Sequence, residues 1–129
     1  MNADSMAGLR RVAGRQTVRL THYGRKTGKP YEVTIWFVVS GEKVYLSTAN
    51  VGRQWVRNVQ QTPRVQLKIA GEVFEGQARF LSDPADRKRV MRLVGKKYWP
   101  FLPLFAIWRL LQALGLARDA TGAFEVSLA

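Results

Sequence analysis

The sequence contains no cysteine, and His22 is the single histidine among its 129 residues. The missing thiols exclude disulfides, thiolate zinc sites, iron–sulfur clusters and cysteine nucleophiles. A lone histidine excludes metal sites built on histidine pairs, and we expect no bound metal. The 9 acidic residues are scattered, and no two of them have the spacing of a known carboxylate motif. Any enzymatic chemistry would therefore come from a bound cofactor, which the protein would bind and orient.

Acidic residues are scarce relative to basic ones. Lysine and arginine number 21 against 9 acidic residues, which gives a net charge of +12. Such a balance attracts polyanions, and nucleic acid, anionic lipid and phosphorylated small molecules all remain open as partners. Residues 1–14 have no apolar run typical of a secretory signal. Together with the absence of cysteine, this predicts a cytoplasmic protein.

The most apolar stretch of the chain covers residues 98–116 and contains one charge, Arg109. Pro100 and Pro103 interrupt its first third. The uninterrupted remainder, 104–116, is shorter than the roughly 20 residues that a membrane-spanning helix needs. Three alternatives stay open for this segment, namely a core helix, a helix at a dimer interface and a peripheral helix lying on a membrane surface.

Alternating apolar and polar residues dominate the first two-thirds of the chain and predict strands. We expect strands over residues 16–23, 31–39, 43–49, 64–70, 72–81 and 124–128, a short helix over 52–61, and helical structure over 83–116 that begins at an Asp83 cap. Residues 1–14 are expected to be flexible or helical. A small antiparallel barrel closes the edges of so many short strands. The prediction is one α+β domain over residues 1–129, a split β-barrel of five to six strands with flanking helices.

The densest polar cluster is the basic loop after the first predicted strand. Two glycines allow close approach to a ligand, and the cations suit a phosphate or carboxylate. Its candidate binding residues are Arg25, Lys26, Thr27 and Gly28, with Lys29 beside them. The spacing is not that of a Walker loop, because the glycines are too close and Pro30 follows Lys29. A hairpin loop with solvated charges is the alternative.

A second cluster follows the third predicted strand and leads into the short helix. Its small and amide-bearing residues would let a flat polar ring approach the backbone, and they are Ser47, Thr48, Ala49 and Asn50. Trp55 and Asn58 share one face of the helix that follows. As alternatives, Trp55 is a core anchor and Asn58 braces a loop. His22 shares strand parity with buried positions, which favours a buried or rim histidine without a catalytic role.

The motifs together resemble the deazaflavin-dependent nitroreductase family. The resemblance rests on LTHYGRKTGKP, VSGEKVYLSTAN, WVRN and QQTPRVQLKIAGEVFEG, in this order over residues 17–81. Members of that family are split β-barrels related to flavin-binding barrels of the pyridoxamine-phosphate-oxidase type. Two departures stand out. Tyr31 occupies a place where the family usually has a basic residue, and the segment before Trp55 is shorter.

The resemblance implies an oxidoreductase that binds the reduced deazaflavin coenzyme F420, with FMN as the alternative cofactor. Hydride transfer to a small hydrophobic acceptor, a quinone or a nitroaromatic compound, would follow. Arg25, Lys26 and Thr27 would hold the anionic part of the cofactor, and residues 47–50 would line its ring system. Trp55 and Asn58 would fix the helix that closes the site. Tyr98 and Trp99 are the candidates for the acceptor pocket.

Two other function classes remain alternatives. One is a non-catalytic ligand-binding or membrane-surface barrel, with contact to lipid through residues 98–116. The other, which we favour least, is a nucleic-acid-binding barrel that uses Tyr31, Trp36 and Tyr45 as stacking platforms. Flavin-binding barrels often pair so that the ligand lies at a subunit boundary, and by that analogy we expect a homodimer.

Overall fold

Six antiparallel strands form the barrel of this protein in a computed structural model, which describes residues 3–98 and 121–129. The elements are α1 (Ala3–Val12), β1 (Thr17–Tyr23), β2 (Pro30–Ser40), β3 (Lys43–Thr48), α2 (Gln54–Gln61), β4 (Arg64–Ile69), β5 (Glu72–Phe80), α3 (Pro84–Lys97) and β6 (Gly122–Leu128). The strands and the short helix lie where the residue pattern predicts them, within a few residues at each end.

The strands close on themselves in the order β1-β2-β3-β6-β5-β4, with β4 pairing back to β1. The last strand enters between β3 and β5, where Leu46 lies opposite Phe124 and Gly76 opposite Leu128. Closure pairs each of the described strands on both sides, so none of them leaves an open sheet edge. The predicted α+β class and the small antiparallel barrel are confirmed, with six strands. The assignment of residues 1–129 to one domain stays a prediction.

The barrel interior is filled by alternate residues of each strand. On β4, for example, Val65, Leu67 and Ile69 are fully buried while their neighbours face outward. The helix α2 closes one end of this interior with Trp55 and Val56, which both belong to the same core cluster. This placement brings the opposite, polar positions of α2 close to the chain that leaves β1.

The helix α3 packs on the outside of the barrel. It begins as predicted, because the Asp83 side chain accepts a hydrogen bond of 2.9 Å from the Ala85 amide and Pro84 follows the cap. Val90 and Val94 bury against Val38 and other residues of a second apolar cluster. The part of the predicted helical segment that follows Tyr98 lies outside the described residues.

Residues 3–12 are helical, which decides between the two expectations for the N-terminal segment. Leu9 and Val12 are buried in the main core, and Arg11 pairs with Glu72 of β5 at 2.6 Å. The Arg11 side chain is 64 % exposed, so this ion pair contributes little to stability. Burial of the two apolar side chains fixes α1 to the barrel.

No helix in the ranges 3–98 and 121–129 is long and apolar enough to cross a membrane. The apolar stretch 98–116 is the predicted site of lipid or subunit contact. Of this stretch the structure describes Tyr98, and residues 99–116 lie outside the described ranges. The contact through residues 98–116 therefore stays a prediction.

Lys97, at the end of α3, is a cation held against the barrel wall. Its Nζ donates a hydrogen bond of 2.8 Å to the Phe37 carbonyl and lies 3.6 Å from the centre of the Phe37 ring. Burial lowers the pKa of Lys97 to about 8, because the charged form loses water that its contacts only partly replace.

This lowered pKa predicts a pH-dependent stability. Between pH 8 and 10.5 the unfolded chain holds more protons at Lys97 than the folded chain, so folding gains stability as the pH rises. We expect the wild type to gain about 1 kcal/mol over Lys97→Met across this range, since solvent screens part of the penalty at a half-buried position. Chemical denaturation at pH 7.5 and 10 measures the difference, with the exposed Lys96→Met as control. Parallel behaviour of both variants would contradict the assignment.

Candidate functional site

The loop 24–29 connects β1 to β2 and is held by hydrogen bonds of its own. The Gly24 amide donates to the Lys29 carbonyl at 2.9 Å, and the Gly28 amide donates to the Gly24 carbonyl at 3.0 Å. The Lys29 amide donates to the Thr27 hydroxyl at 3.3 Å. Gly28 has φ of +71°, a left-handed conformation that favours glycine. The loop is therefore a defined turn in which Thr27 and Gly28 set the backbone path.

Several donors of this turn have no acceptor among the described residues. Within the described ranges, no hydrogen-bond acceptor is found for the amides of Arg25, Lys26 and Thr27, and the side chains of Lys26 and Lys29 are exposed. Successive free amides with flanking cations form an anion-binding concavity. This donor set suits a phosphate or a carboxylate.

Side chains of α2 hold the guanidinium of Arg25 in place. Its Nη1 donates to Asn58 Oδ1 at 2.9 Å and its Nη2 donates to Gln54 Oε1 at 3.0 Å. Gln61 Nε2 donates to the Arg25 carbonyl at 3.4 Å. Positions 54, 58 and 61 share one helical face. Asn58 therefore makes the loop-bracing contact that was its alternative role, and its role toward a cofactor stays a prediction. The sequence pattern did not single out Gln54 and Gln61, although their spacing from Asn58 places them on the same helical face.

His22 completes this group from the barrel end. It is 5 % exposed, which confirms a buried or rim position, and its Nδ1 lies 3.0 Å from Asn58 Nδ2. Arginine only donates, so the Asn58 oxygen must face Arg25 and the Asn58 amide nitrogen must donate to His22. His22 Nδ1 is then an acceptor and its proton lies on Nε2, an assignment made from the hydrogen-bond network. Burial lowers the pKa of His22, which favours the neutral ring.

Residues 47–50 comprise the last two residues of β3 and the start of the turn that leads into α2. The Thr48 hydroxyl donates to the Asn50 carbonyl at 3.0 Å and accepts from the Asn50 amide at 3.1 Å. Asn50 Oδ1 accepts from the Gly52 amide at 2.8 Å, while Ser47 is half-buried and Ala49 exposed. No hydrogen bond between described residues joins this turn to the loop 24–29, so α2 is their link. The role of residues 47–50 toward a ring system stays a prediction.

Trp55 lies inside the barrel end rather than on the polar face of α2. Its side chain is 4 % exposed, and its ring centre is 5.6 Å from that of Phe124 on β6. This is the contact of a core anchor, and it orients the helix that carries Asn58.

Tyr98 is a buried anchor at the end of α3. It is 2 % exposed, its ring stacks on Trp36 at 4.1 Å, and burial raises its pKa. Its hydroxyl lies 2.5 Å from the Gln16 carbonyl and 2.9 Å from the Phe37 carbonyl, and it accepts a hydrogen bond from the Phe37 amide. Trp99 lies outside the described residues. The assignment of both to an acceptor pocket stays a prediction.

The aromatic residues considered for nucleic-acid stacking do not form an exposed array. Tyr45 is 4 % exposed and Trp36 is half-buried against Tyr98, so of the three only Tyr31, at 49 %, is largely exposed. Tyr31 itself stacks on His22 with ring centres 5.9 Å apart.

In the described part of the chain no group of three acidic or histidine side chains could hold a metal ion.

One family model and several solved structures match this chain. The family model described as F420H(2)-dependent quinone reductase matches residues 3–101. A candidate pyridoxamine 5'-phosphate oxidase from Listeria innocua is 14 % identical, with a TM-score of 0.66 over 97 % of this chain and 91 % of that chain. An F420-H2 dependent reductase is 22 % identical, with a TM-score of 0.64 over 87 % and 94 % of the two chains.

A third solved structure, described as a domain-swapped dimer, is 20 % identical, with a TM-score of 0.66 over 95 % of this chain and 93 % of that chain. At these identities the three likenesses show a shared split-barrel fold.

Proposed function

Since the chain belongs to the F420H2-dependent quinone reductase family, we propose that it binds reduced F420 and reduces a small electrophilic acceptor, a quinone or a nitroaromatic compound. The cofactor, when bound, supplies the hydride, and a solvent proton completes the reduction of a quinone to a quinol. The protein contributes binding, orientation and exclusion of water. The chain has one histidine and scattered acidic residues, which agrees with chemistry supplied by a cofactor rather than by side chains.

The observation that carries this proposal is the braced Arg25 in a turn rich in donors. F420 has a phosphodiester and an acidic glutamate tail, and both need cationic and amide donors. Arg25 is fixed by Asn58 and Gln54 at 2.9 and 3.0 Å before any ligand arrives, so little side-chain entropy is lost on binding. We assign the anionic part of the cofactor to Arg25, Lys26, Thr27 and the Gly28 backbone.

The remaining site residues are proposed either to contact the ring system of the cofactor or to position the elements around it. We propose that the turn 47–50 approaches the ring system of the cofactor with its backbone and short side chains. Trp55 acts from the core by orienting α2. Tyr98, fixed between α3 and the barrel, is proposed for the acceptor side together with Trp99.

We propose a homodimer as the assembled state. A solved structure with the same fold is described as a domain-swapped dimer, and small barrels that bind flavins often complete their site across a subunit boundary. Light scattering coupled to gel filtration measures the molar mass and tests this directly, with 14.6 kDa expected for a lone chain.

The reductase activity is tested by single-turnover oxidation of the cofactor. Purified protein is mixed with reduced F420 and either a short-chain quinone or a nitroaromatic compound, and the return of oxidised F420 is followed by its fluorescence. We expect protein-dependent oxidation with at least one of the two acceptor classes. Reduced FMN in place of reduced F420 serves as the comparison cofactor. Equal rates with and without protein for both acceptors would refute the activity.

A further inference from the structure

A chain of hydrogen-bonded side chains runs from buried His22 through buried Asn58 to half-buried Arg25. We propose that His22 is a positioning residue, which orients the Asn58 amide so that Arg25 is held for the anionic part of the ligand, and that ligand affinity consequently requires neutral His22. This inference rests on the proposed function, in which Arg25 binds that anion. Its consequence is a pH-sensitive affinity in a protein with no other histidine.

The Asn58 amide can face either way with nearly the same shape, so its neighbours decide its orientation. Arg25 Nη1 requires an oxygen at 2.9 Å, and His22 Nδ1 accepts from the nitrogen at 3.0 Å. Asn58 is 5 % exposed, and a buried polar group that lacks its partners costs free energy. Arg25 and His22 therefore select the same orientation of the Asn58 amide. If one of these two contacts is lost, the other is weakened.

Protonation of His22 Nδ1 would place two donors face to face. If the Asn58 amide turned over to accept from the imidazolium, its nitrogen would meet the donating guanidinium of Arg25. Either arrangement loses one hydrogen bond, and in the turned-over arrangement Arg25 would keep Gln54 alone as its side-chain partner on α2. A guanidinium with one brace is more mobile, and ordering it on binding costs more free energy.

The groups around His22 do not favour its charged form. Tyr31 stacks on it from β2, and Arg25 faces it through Asn58. Among the described residues no carboxylate bonds to His22, and burial lowers its pKa. Neutral His22 is therefore the state in which the chain of hydrogen bonds forms, and acidification is what breaks it.

The first test reads the state of His22 without any ligand. Because His22 is the single histidine, long-range 1H–15N correlation of labelled protein reports its tautomer and pKa without assignment ambiguity. We expect the Nε2–H tautomer at pH 7.5 and a pKa below the ordinary value of about 6.5. The variant Asn58→Leu should lower the population of this tautomer. An Nδ1–H tautomer in the wild type, or a tautomer population unchanged in Asn58→Leu, would overturn the proposal whether or not F420 binds.

The second test measures F420 affinity between pH 7.5 and pH 5 for the wild type, His22→Asn and His22→Leu. Asparagine places an oxygen acceptor near the Nδ1 position and does not titrate, whereas leucine provides no acceptor. We expect wild-type affinity to fall about tenfold relative to His22→Asn on acidification, and His22→Leu to bind about tenfold more weakly at pH 7.5. This is the effect that loss of the Asn58 hydrogen bond to the charged Arg25 guanidinium implies. Titration of F420 itself affects both proteins equally, so its effect cancels in the ratio of the wild-type affinity to the His22→Asn affinity. A ratio that is constant with pH would overturn the proposal, while absence of F420 binding in all three proteins would refute the proposed function instead.

Discussion

Replacing Arg25 and Lys26 together by alanine is expected to weaken F420 binding by at least about a hundredfold. Each cation would donate to a phosphate or carboxylate oxygen, and a hydrogen bond to a charged group contributes about 1.5–3 kcal/mol. Arg25 should account for the larger share, because Asn58 and Gln54 already hold its guanidinium in place. Fluorescence titration of each single variant and of the double variant measures the two contributions and their coupling.

The matched control removes the same number of positive charges elsewhere. Lys88 and Arg92 lie on the exposed side of α3, and their double alanine variant lowers the net charge of +12 by the same two units. We expect this control to bind F420 within about twofold of the wild type, since charges beyond a Debye length of about 10 Å are screened at 0.1 M salt. Equal losses in the two double variants would mean that overall charge, and not the loop, attracts the cofactor.

Trp55→Ala is expected to destabilise the protein by about 3–5 kcal/mol and to abolish cofactor binding with it. The tryptophan is buried against Phe124 in the main core, and truncation of such a side chain removes its packing and leaves a cavity. Without this anchor α2 would lose its fixed orientation at the barrel end. Asn58 and Gln54 would then no longer hold Arg25. Denaturant unfolding and F420 titration on the same preparation measure both effects.

The variant Trp55→Phe separates a core anchor from a ligand contact. Phenylalanine retains most of the packing, so we expect a loss of stability of about 1–2 kcal/mol and F420 affinity within about threefold of the wild type. A large drop in affinity with little change in stability would instead place Trp55 in contact with the cofactor.

Most of the fold could be predicted from the sequence because strands and helix caps depend on residues that are close together in the chain. Alternation over Val65, Leu67 and Ile69 needs only the period of a strand, and the Asp83–Pro84 cap needs only neighbouring residues. Even the closing strand was visible as an apolar run near Phe124. Its insertion between β3 and β5 was not readable, because several pairings of six short strands bury the same faces, and the choice depends on packing of the whole barrel.

The candidate site was only partly readable. Arg25, Lys26 and Thr27 stand out by charge and spacing, but nothing local indicates that α2, some 30 residues later, braces Arg25. The part played by His22 depends on an amide that turns its oxygen toward Arg25, which only the assembled structure shows. Tyr98 was singled out by resemblance, whereas the structure buries it under contacts with β2 and the segment before β1.

The most direct test of the account is titration of the wild-type protein with oxidised F420 and with FMN at two salt concentrations. The account predicts micromolar or tighter binding of F420, weaker binding of FMN, and an F420 affinity that falls at high salt because cations hold its anionic part. Failure of both cofactors to bind, or F420 binding that ignores salt and the Arg25→Ala substitution alike, would contradict the assignment of the loop 24–29 as the cofactor site.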